Sequence, residues 1–342
     1  MFCFFEIENN LKLCEQPQLH FLISILVLQS FYTNFQIIHI ALKRVLLLMI
    51  CLVLILMYVN VIFLPIARAF AITGSSVGIP AATFNKTKTL RIGVVGDIDS
   101  NKGFTTQLEI ANHYNVQVLI IPGDFEYTNG QKVLSNLESH GFTRENTDIV
   151  VGNHDSGKDV KTWLGNNRTF GQVKFDFSGN KLVLFNIDAN TKFDCSSPQF
   201  EILKSQMELT KAWYKFAVVH QPFVTVKSVH PPNGEFNCYD PLFRTAGIDG
   251  VLQAHNHNYQ RFNVHGMMYG VFGTGTHNTG SGMYPLNSDT WQGNNCLKCI
   301  TGKNGITIID LHFENTPKHY VGWFIGMRNE VLDGFDSLNQ MQ

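Results

Sequence analysis

Ile149-Val150-Val151-Gly152-Asn153-His154-Asp155 is the stretch on which the reading of this chain turns. Three β-branched residues make a short buried strand, which stops at a glycine and releases an amide, an imidazole and a carboxylate together. Two upstream apolar runs end alike, Leu90 to Val95 before Gly96-Asp97 and Val118 to Pro122 before Gly123-Asp124. Downstream, Phe216 to Val219 ends in His220, and Val251-Leu252 leads into Ala254-His255-Asn256-His257. In open α/β sheets the C-terminal strand edge is where ligands bind. One aspartate there is an ordinary cap or turn residue. Five runs in series, all ending in oxygen or imidazole donors, make a set suited to hard or borderline metal ions.

Working outward, a helix is predicted over Thr105 to Asn112 and another over Gln131 to Ser139, so the first three strands read as βαβαβ and imply a parallel sheet. Gln172 to Phe177 and Lys181 to Ile187 then read as a hairpin turning at Gly179-Asn180. A long helix is predicted over Pro198 to Tyr214, a strand over Lys215 to Val219, a polar loop over 224–243 and a strand over Gly247 to Gln253. Strands over Gln260 to His265, Met267 to Phe272, Gly305 to Leu311 and His319 to Gly326 complete the pattern before a ragged tail.

Two aspartates, an asparagine and three histidines can hold two ions only if one oxygen ligand bridges them. Asp124, after the second and expectedly central strand, is the natural bridge. Two ions about 3.5–4 Å apart can activate a water and clamp the attacking and leaving oxygens of a phosphoryl group. Asn153 adds a neutral oxygen, which avoids piling negative charge against a phosphate. His154, next along a tight turn, is expected to face the substrate.

Gly96-Asp97, Gly123-Asp124-x-x-Tyr127, Gly152-Asn153-His154-Asp155, Val219-His220 and Ala254-His255-Asn256-His257 resemble the five signature blocks of the calcineurin-like metallophosphoesterases. The Tyr127 spacing and Asn258-Tyr259-Gln260-Arg261 resemble the purple acid phosphatase branch more narrowly. The resemblance covers about residues 89–312 and implies an α/β fold, a four-layer αββα sandwich with two facing mixed β-sheets. It further implies that one ion, Fe(III), takes Asp97, Tyr127 and His257, and that a divalent ion (Fe, Zn or Mn) takes Asn153, His220 and His255, with Asp124 shared. His154 would steady phosphoryl oxygens or assist the leaving group, and His230, ten positions after His220, resembles a further phosphate contact or leaving-group acid. Read without the resemblance, a histidine beside Pro231-Pro232 is an ordinary surface residue.

Three positions depart from the family pattern. Asp99 stands where the wider superfamily has histidine and the purple branch a small residue, so it either adds a ligand or second contact to the first ion or caps the turn at Asn101 and Lys102. Ala254 replaces a glycine, which is tolerable if the backbone there is not left-handed. Asp155 replaces a glutamate in a supporting role. Gly273-Thr274-Gly275-Thr276 resembles the glycine-rich block behind the family's site, and the absence of a following Gly-Lys-Ser/Thr argues against a P-loop.

Residues 1–71 form a leader, with an apolar run from Val45 to Leu64 behind Lys43-Arg44 and small-x-small patterns at Ala67 to Ala71. Such a segment is long enough to span a membrane, and it reads as a signal peptide or an anchor. A linker over 72–88, a catalytic domain over 89–325 and a tail over 326–342 follow. Export fits the four cysteines beyond the leader, for which Cys296–Cys299 or Cys195–Cys238 are the expected disulfides, half of a zinc site being the rival reading of Cys296-x-x-Cys299. Asn85-Lys-Thr and Asn167-Arg-Thr match the glycosylation pattern.

The chain carries 26 basic and 27 acidic residues, a balance that argues against a nucleic-acid polymer as partner. Nothing points to a protein partner. The expected function is hydrolysis of small phosphate monoesters by a dinuclear centre outside the cytoplasm, in a secreted or membrane-anchored enzyme. Phosphodiester hydrolysis on cyclic nucleotides or other small diesters is the alternative, and a non-catalytic surface binding module the minor one.

Overall fold

The computed structural model describes residues 88–125, 127, 129–165, 169–226, 230–277, 290–314 and 317–339, together with helical Met49. The chain divides into two units, Met1–Thr73 and Gly74–Gln342, and every element below belongs to the second. Met49 apart, the apolar run 45–64 lies outside the described residues, as do the small-x-small patterns and Asn85 and Asn167. Among the described residues no helix is long and apolar enough to cross a membrane.

The first sheet is built on β1 (Thr89–Val94), β2 (Val118–Ile121) and β3 (Thr147–Ile149), which run parallel. It is extended antiparallel from β1 by β13 (Gly305–His312), β14 (Tyr320–Gly326) and β15 (Val331–Asp336). Strand order is β15-β14-β13-β1-β2-β3. The strand before Asp124 is therefore central to the parallel triplet but not to the sheet. Strand β15 occupies part of the stretch expected as tail.

The second sheet comprises β4 (Gly171–Phe177), β5 (Asn180–Ile187), β6 (Tyr214–Val219), β7 (Gly250–Gln253), β8 (Tyr259–Val264), β9 (Met267–Phe272) and β12 (Lys298–Ile300). Their order is β12-β8-β9-β7-β6-β5-β4, with β5, β6, β7 and β9 parallel. Short β10 (Thr290–Trp291) and β11 (Asn294–Asn295) pair separately.

Alternation along these strands explains the layering. Leu90, Ile92, Val94, Val118 and Ile120 point into one core with Leu182, Leu184, Phe216 and Val218 of the other sheet. The intervening Leu119 and Ile121 pack under α1 (Lys102–His113), α2 (Gly130–Ser139) and α3 (Lys158–Leu164). Val183, Phe185, Ala217 and Val219 pack under α4 (Pro198–Leu209) and α5 (Phe236–Ala246). Strands covered on both faces read as continuous apolar runs. The result is the expected α/β sandwich of helices, sheet, sheet and helices, with mixed sheets.

Several boundaries differ from the sequence reading. The β4–β5 turn is Ser178-Gly179, both at positive φ (51° and 82°), and Asn180 already pairs with Phe177. The α4 helix, begun by Ser197 capping the Phe200 amide, ends at Leu209 because Thr210 turns extended. Tyr214 instead opens β6, fully buried, with its hydroxyl on the carbonyls of His312 and His319. Helix α5 begins inside the loop expected over 224–243 and runs three residues past it. Pro231-Pro232 and Pro241 mask that helix in sequence, but its face of Phe236, Tyr239, Leu242, Phe243 and Ala246 is buried, and this burial outweighs the weak local propensity.

Candidate metal centre

Asp97 follows β1, Asp124 and Tyr127 follow β2, Asn153 and His154 follow β3, His220 follows β6, and His255 and His257 follow β7. The C-terminal edges of the two parallel blocks therefore meet, and the Gly96 amide bonds across to the Phe272 carbonyl at the end of β9 (2.9 Å). Asp97, Asp124 and His255 adopt left-handed φ of 57°, 56° and 68°. That conformation costs a non-glycine residue roughly 1–2 kcal/mol, and such strain clusters at functional sites. Ala254 is not among the left-handed residues. Its methyl closes on Gly96, where an added Cβ would lie 2.6 Å away, so glycine is needed on the facing strand end.

Two groups of donors converge. The Tyr127 hydroxyl lies 2.6 Å from Asp124 Oδ2, 3.2 Å from Asp97 Oδ1 and 3.0 Å from His257 Nε2. His257 Nε2 is itself 3.3 Å from Asp97 Oδ1. In the second group His220 Nε2 stands 3.0 Å from Asn153 Oδ1, 3.1 Å from His255 Nδ1 and 3.2 Å from Asp124 Oδ2. Asp124 belongs to both groups, and donor atoms of Asp124, His220 and His255 all lie within 4.8 Å of one another.

This donor set fits cations. One phenolic proton cannot serve both the Asp97 and the Asp124 carboxylate at once, and two ring nitrogens facing each other at 3.1 Å leave room for a proton on only one of them. Burial alone would raise Asp124, but the His220 charge and hydrogen bonds from His220, Tyr127 and the His154 amide hold its carboxyl far below the usual range. Burial alone would lower His220, but the Asp124 charge lifts it to about 9. Burial, with His220 and His230 alongside, pushes His255 down to about 3. Tyr127 is pushed far up by burial and by the charges of Asp97 and Asp124. The protons held here sit among anionic and lone-pair donors, and cation binding would displace them.

The scaffold behind these donors is firm. Asp155 accepts from the amides of Asp124 (2.9 Å), Phe125 (2.9 Å) and Gly152 (2.7 Å), tying the β2 and β3 loops together. The His154 amide bonds to Asp124 Oδ1 (2.9 Å) and the His255 amide to Asp97 Oδ2 (2.9 Å). His220 Nδ1 meets the Pro122 carbonyl (2.9 Å), which orients its other nitrogen toward the donors.

The remaining site candidates sit around the rim. Asn153 and His154 are exposed, and the His154 ring lies 4.4 Å from that of Tyr127. The ring of half-buried His230 lies 4.0 Å from that of His255, tilted by 35°, and the His230 carbonyl accepts from Asn256. Asn101, not Asp99, caps α1 through the amides of Gly103 and Phe104. The Asp99 carboxylate takes the Ser100 amide at 2.6 Å. The sequence reading stopped at Thr276 and missed His277, whose ring stacks on Tyr127. It also missed Asn190, which holds the Gly152 carbonyl at 2.7 Å. His277 directly follows the glycine-rich block, which was the available signal; Asn190 had none.

Cys195 and Cys238 are disulfide-bonded with Cα atoms 5.6 Å apart, as are Cys296 and Cys299 at 6.0 Å. These are the two expected pairs, within the usual Cα span.

Comparison with known proteins places this arrangement. Residues 90–259 match the calcineurin-like phosphoesterase family. The chain is 24% identical over 200 residues to "Probable purple acid phosphatase 20" of Arabidopsis thaliana, a match covering 51% of this chain and 46% of that protein. It therefore spans about half the length of that relative. The fold superposes on purple acid phosphatase PPD1 from yellow lupin (Lupinus luteus) with TM-score 0.55 and 12% identity, covering 74% of this chain and 54% of that one. It also superposes on GAP50, described as the anchor in the inner membrane complex of Plasmodium, with TM-score 0.54, 15% identity and coverage of 72% and 88%. On these matches the chain belongs to the calcineurin-like metallophosphoesterase superfamily and is purple acid phosphatase-like within it.

Proposed function

We propose that this protein hydrolyses small phosphate monoesters with an Fe(III)–divalent pair, the divalent ion being Fe, Zn or Mn. The reading further holds that it acts outside the cytoplasm, secreted or anchored by the run 45–64. The observation that carries the metal assignment is the Tyr127 hydroxyl, set among Asp97, Asp124 and His257 at 2.6–3.2 Å. A phenol has a reference pKa near 10, and the surrounding carboxylates oppose its ionisation further. A phenolate here therefore requires a strongly Lewis-acidic ion. The two cysteine pairs support export, since disulfides persist in oxidising compartments.

Asp97, Tyr127 and His257 would hold the ferric ion and Asn153, His220 and His255 the divalent one, with Asp124 between them. Bound there, such a pair supplies charge stabilisation and a lowered pKa for water. The chain does the rest. His154 is fixed through its own backbone to Asp124 and presents an exposed ring over Tyr127, in place to give a proton to the leaving oxygen. Burial, followed by the charge of His257, keeps His230 below the usual histidine range, so a neutral ring offers one N–H to a phosphoryl oxygen. Asp99 either contacts the first ion or only braces the turn at Ser100.

The test is aerobic purification with iron. A visible phenolate-to-iron band is expected, abolished by Tyr127→Phe while hydrolysis of p-nitrophenyl phosphate falls only partly. The monoester should turn over faster than bis(p-nitrophenyl) phosphate. An iron-loaded, active protein whose band is missing or survives Tyr127→Phe would overturn the ferric reading, and faster diester turnover would overturn the substrate class.

A further inference from the structure

We propose that His277 is a positioning residue for Tyr127, its imidazole serving as the flat support that holds the phenol where its oxygen reaches both carboxylates and His257. The inference rests on the reading of Tyr127 as an iron ligand. The two rings lie 3.4 Å apart and within 2° of parallel. The His154 ring is also close, at 4.4 Å and tilted 36°. Only the His277 ring lies parallel to the phenol; the His154 ring meets it at a tilt.

What makes His277 a support rather than a chance neighbour is how its own position is set. Its amide donates to the Asp97 carbonyl (3.2 Å), and two residues earlier the Gly275 amide donates to the Gly96 carbonyl (2.9 Å). A Cβ on Gly275 would lie 2.2 Å from the Asp97 carbonyl oxygen, so only glycine lets the two backbones run this close. Asn101, the cap of α1, adds a bond from its side chain to the Thr276 carbonyl (3.2 Å). Thr274 is held in turn by Gln107 and by the Gly305 carbonyl. The segment after β9 is thus locked to the Asp97 loop, and it carries the His277 ring with it.

Tyr127 arrives from a different loop, after β2. Its phenol needs a reference that moves with Asp97, and the stacked imidazole supplies one. The Gly-Thr-Gly-Thr block then has a definite purpose, which is to place the histidine that follows it.

The test compares His277→Ala and His277→Phe with the unmutated protein, each full length and purified aerobically with iron. Absorption spectrum, iron retained against a chelator, kcat and KM are the readouts. His277→Ala should weaken and shift the visible band and lower iron retention about two- to tenfold, the scale of one lost aromatic stack, with kcat falling more than KM changes. His277→Phe keeps a flat ring and should restore band and iron. An unmutated protein with the band, whose His277→Ala variant keeps the same band and iron retention, overturns the positioning role and leaves Tyr127's role standing. A defect that His277→Phe fails to rescue overturns it equally. Absence of the band from the unmutated protein removes both readings together.

Discussion

Replacing Asp148 with asparagine should stabilise this protein at neutral pH and leave it unchanged in acid. Asp148, on β3, is fully buried, and its Oδ1 accepts from Asn186 Nδ2 on β5 of the facing sheet (2.8 Å). The other two polar atoms of the pair, Asp148 Oδ2 and Asn186 Oδ1, are buried without a hydrogen-bond partner. A proton on Oδ2 can close that second bond, and burial accordingly lifts the Asp148 carboxyl from 3.8 to about 7, against the hydrogen bonds from Asn186 and the Ile149 amide. The folded state then holds a proton that the unfolded chain has released, so stability falls as pH rises from about 4 to about 7. Roughly three pKa units at about 1.36 kcal/mol each give about 4 kcal/mol lost across that window. An asparagine amide donates to Asn186 Oδ1 at every pH and escapes the loss. Urea unfolding of both proteins across the window isolates this pair, because all other titrating groups cancel in the difference. The variant's advantage should be near zero at the acid end and on the order of 4 kcal/mol at the neutral end. A difference that stays flat with pH, or a variant less stable at neutral pH, would refute the reasoning.

Asn153→Ala and His220→Ala should each lose most of the phosphatase activity and weaken one ion, while circular dichroism and melting temperature stay close to the parent's. Metal analysis showing two ions at full occupancy with unchanged turnover would remove both residues from the ligand set. Cys195 and Cys238, 43 residues apart, join the segment before α4 to α5. Losing that bond should cost about 4 kcal/mol by loop entropy, measured as the stability of Cys195→Ser/Cys238→Ser against the oxidised parent, and peptide mapping without reductant should recover both expected pairs.

The strand-end donors were legible in the sequence because their signal is local. An apolar run covered on both faces needs no partner to be recognised, and Gly-Asp, Gly-Asn-His-Asp or Ala-His-Asn-His must then emerge at its end. Tyr127, three positions past Asp124, shares that legibility. Helix α5 did not, because Pro231-Pro232 and Pro241 dominate its local chemistry, and only the core beneath Phe236, Tyr239 and Phe243 makes it helical. Strand β15 exists because β14 offers it an edge, and nothing within its own residues demands pairing. The same division runs through the site. Sequence named Asp97, Asp124, His220 and His257 as donors, but their separations of a few ångströms follow from two sheets packed face to face with their parallel blocks ending at one edge. His277 on Tyr127 and Asp148 on Asn186 are contacts across that packing, between residues 150 and 38 positions apart. No pattern within either segment encodes such a contact, because it exists only once the layers have closed on each other.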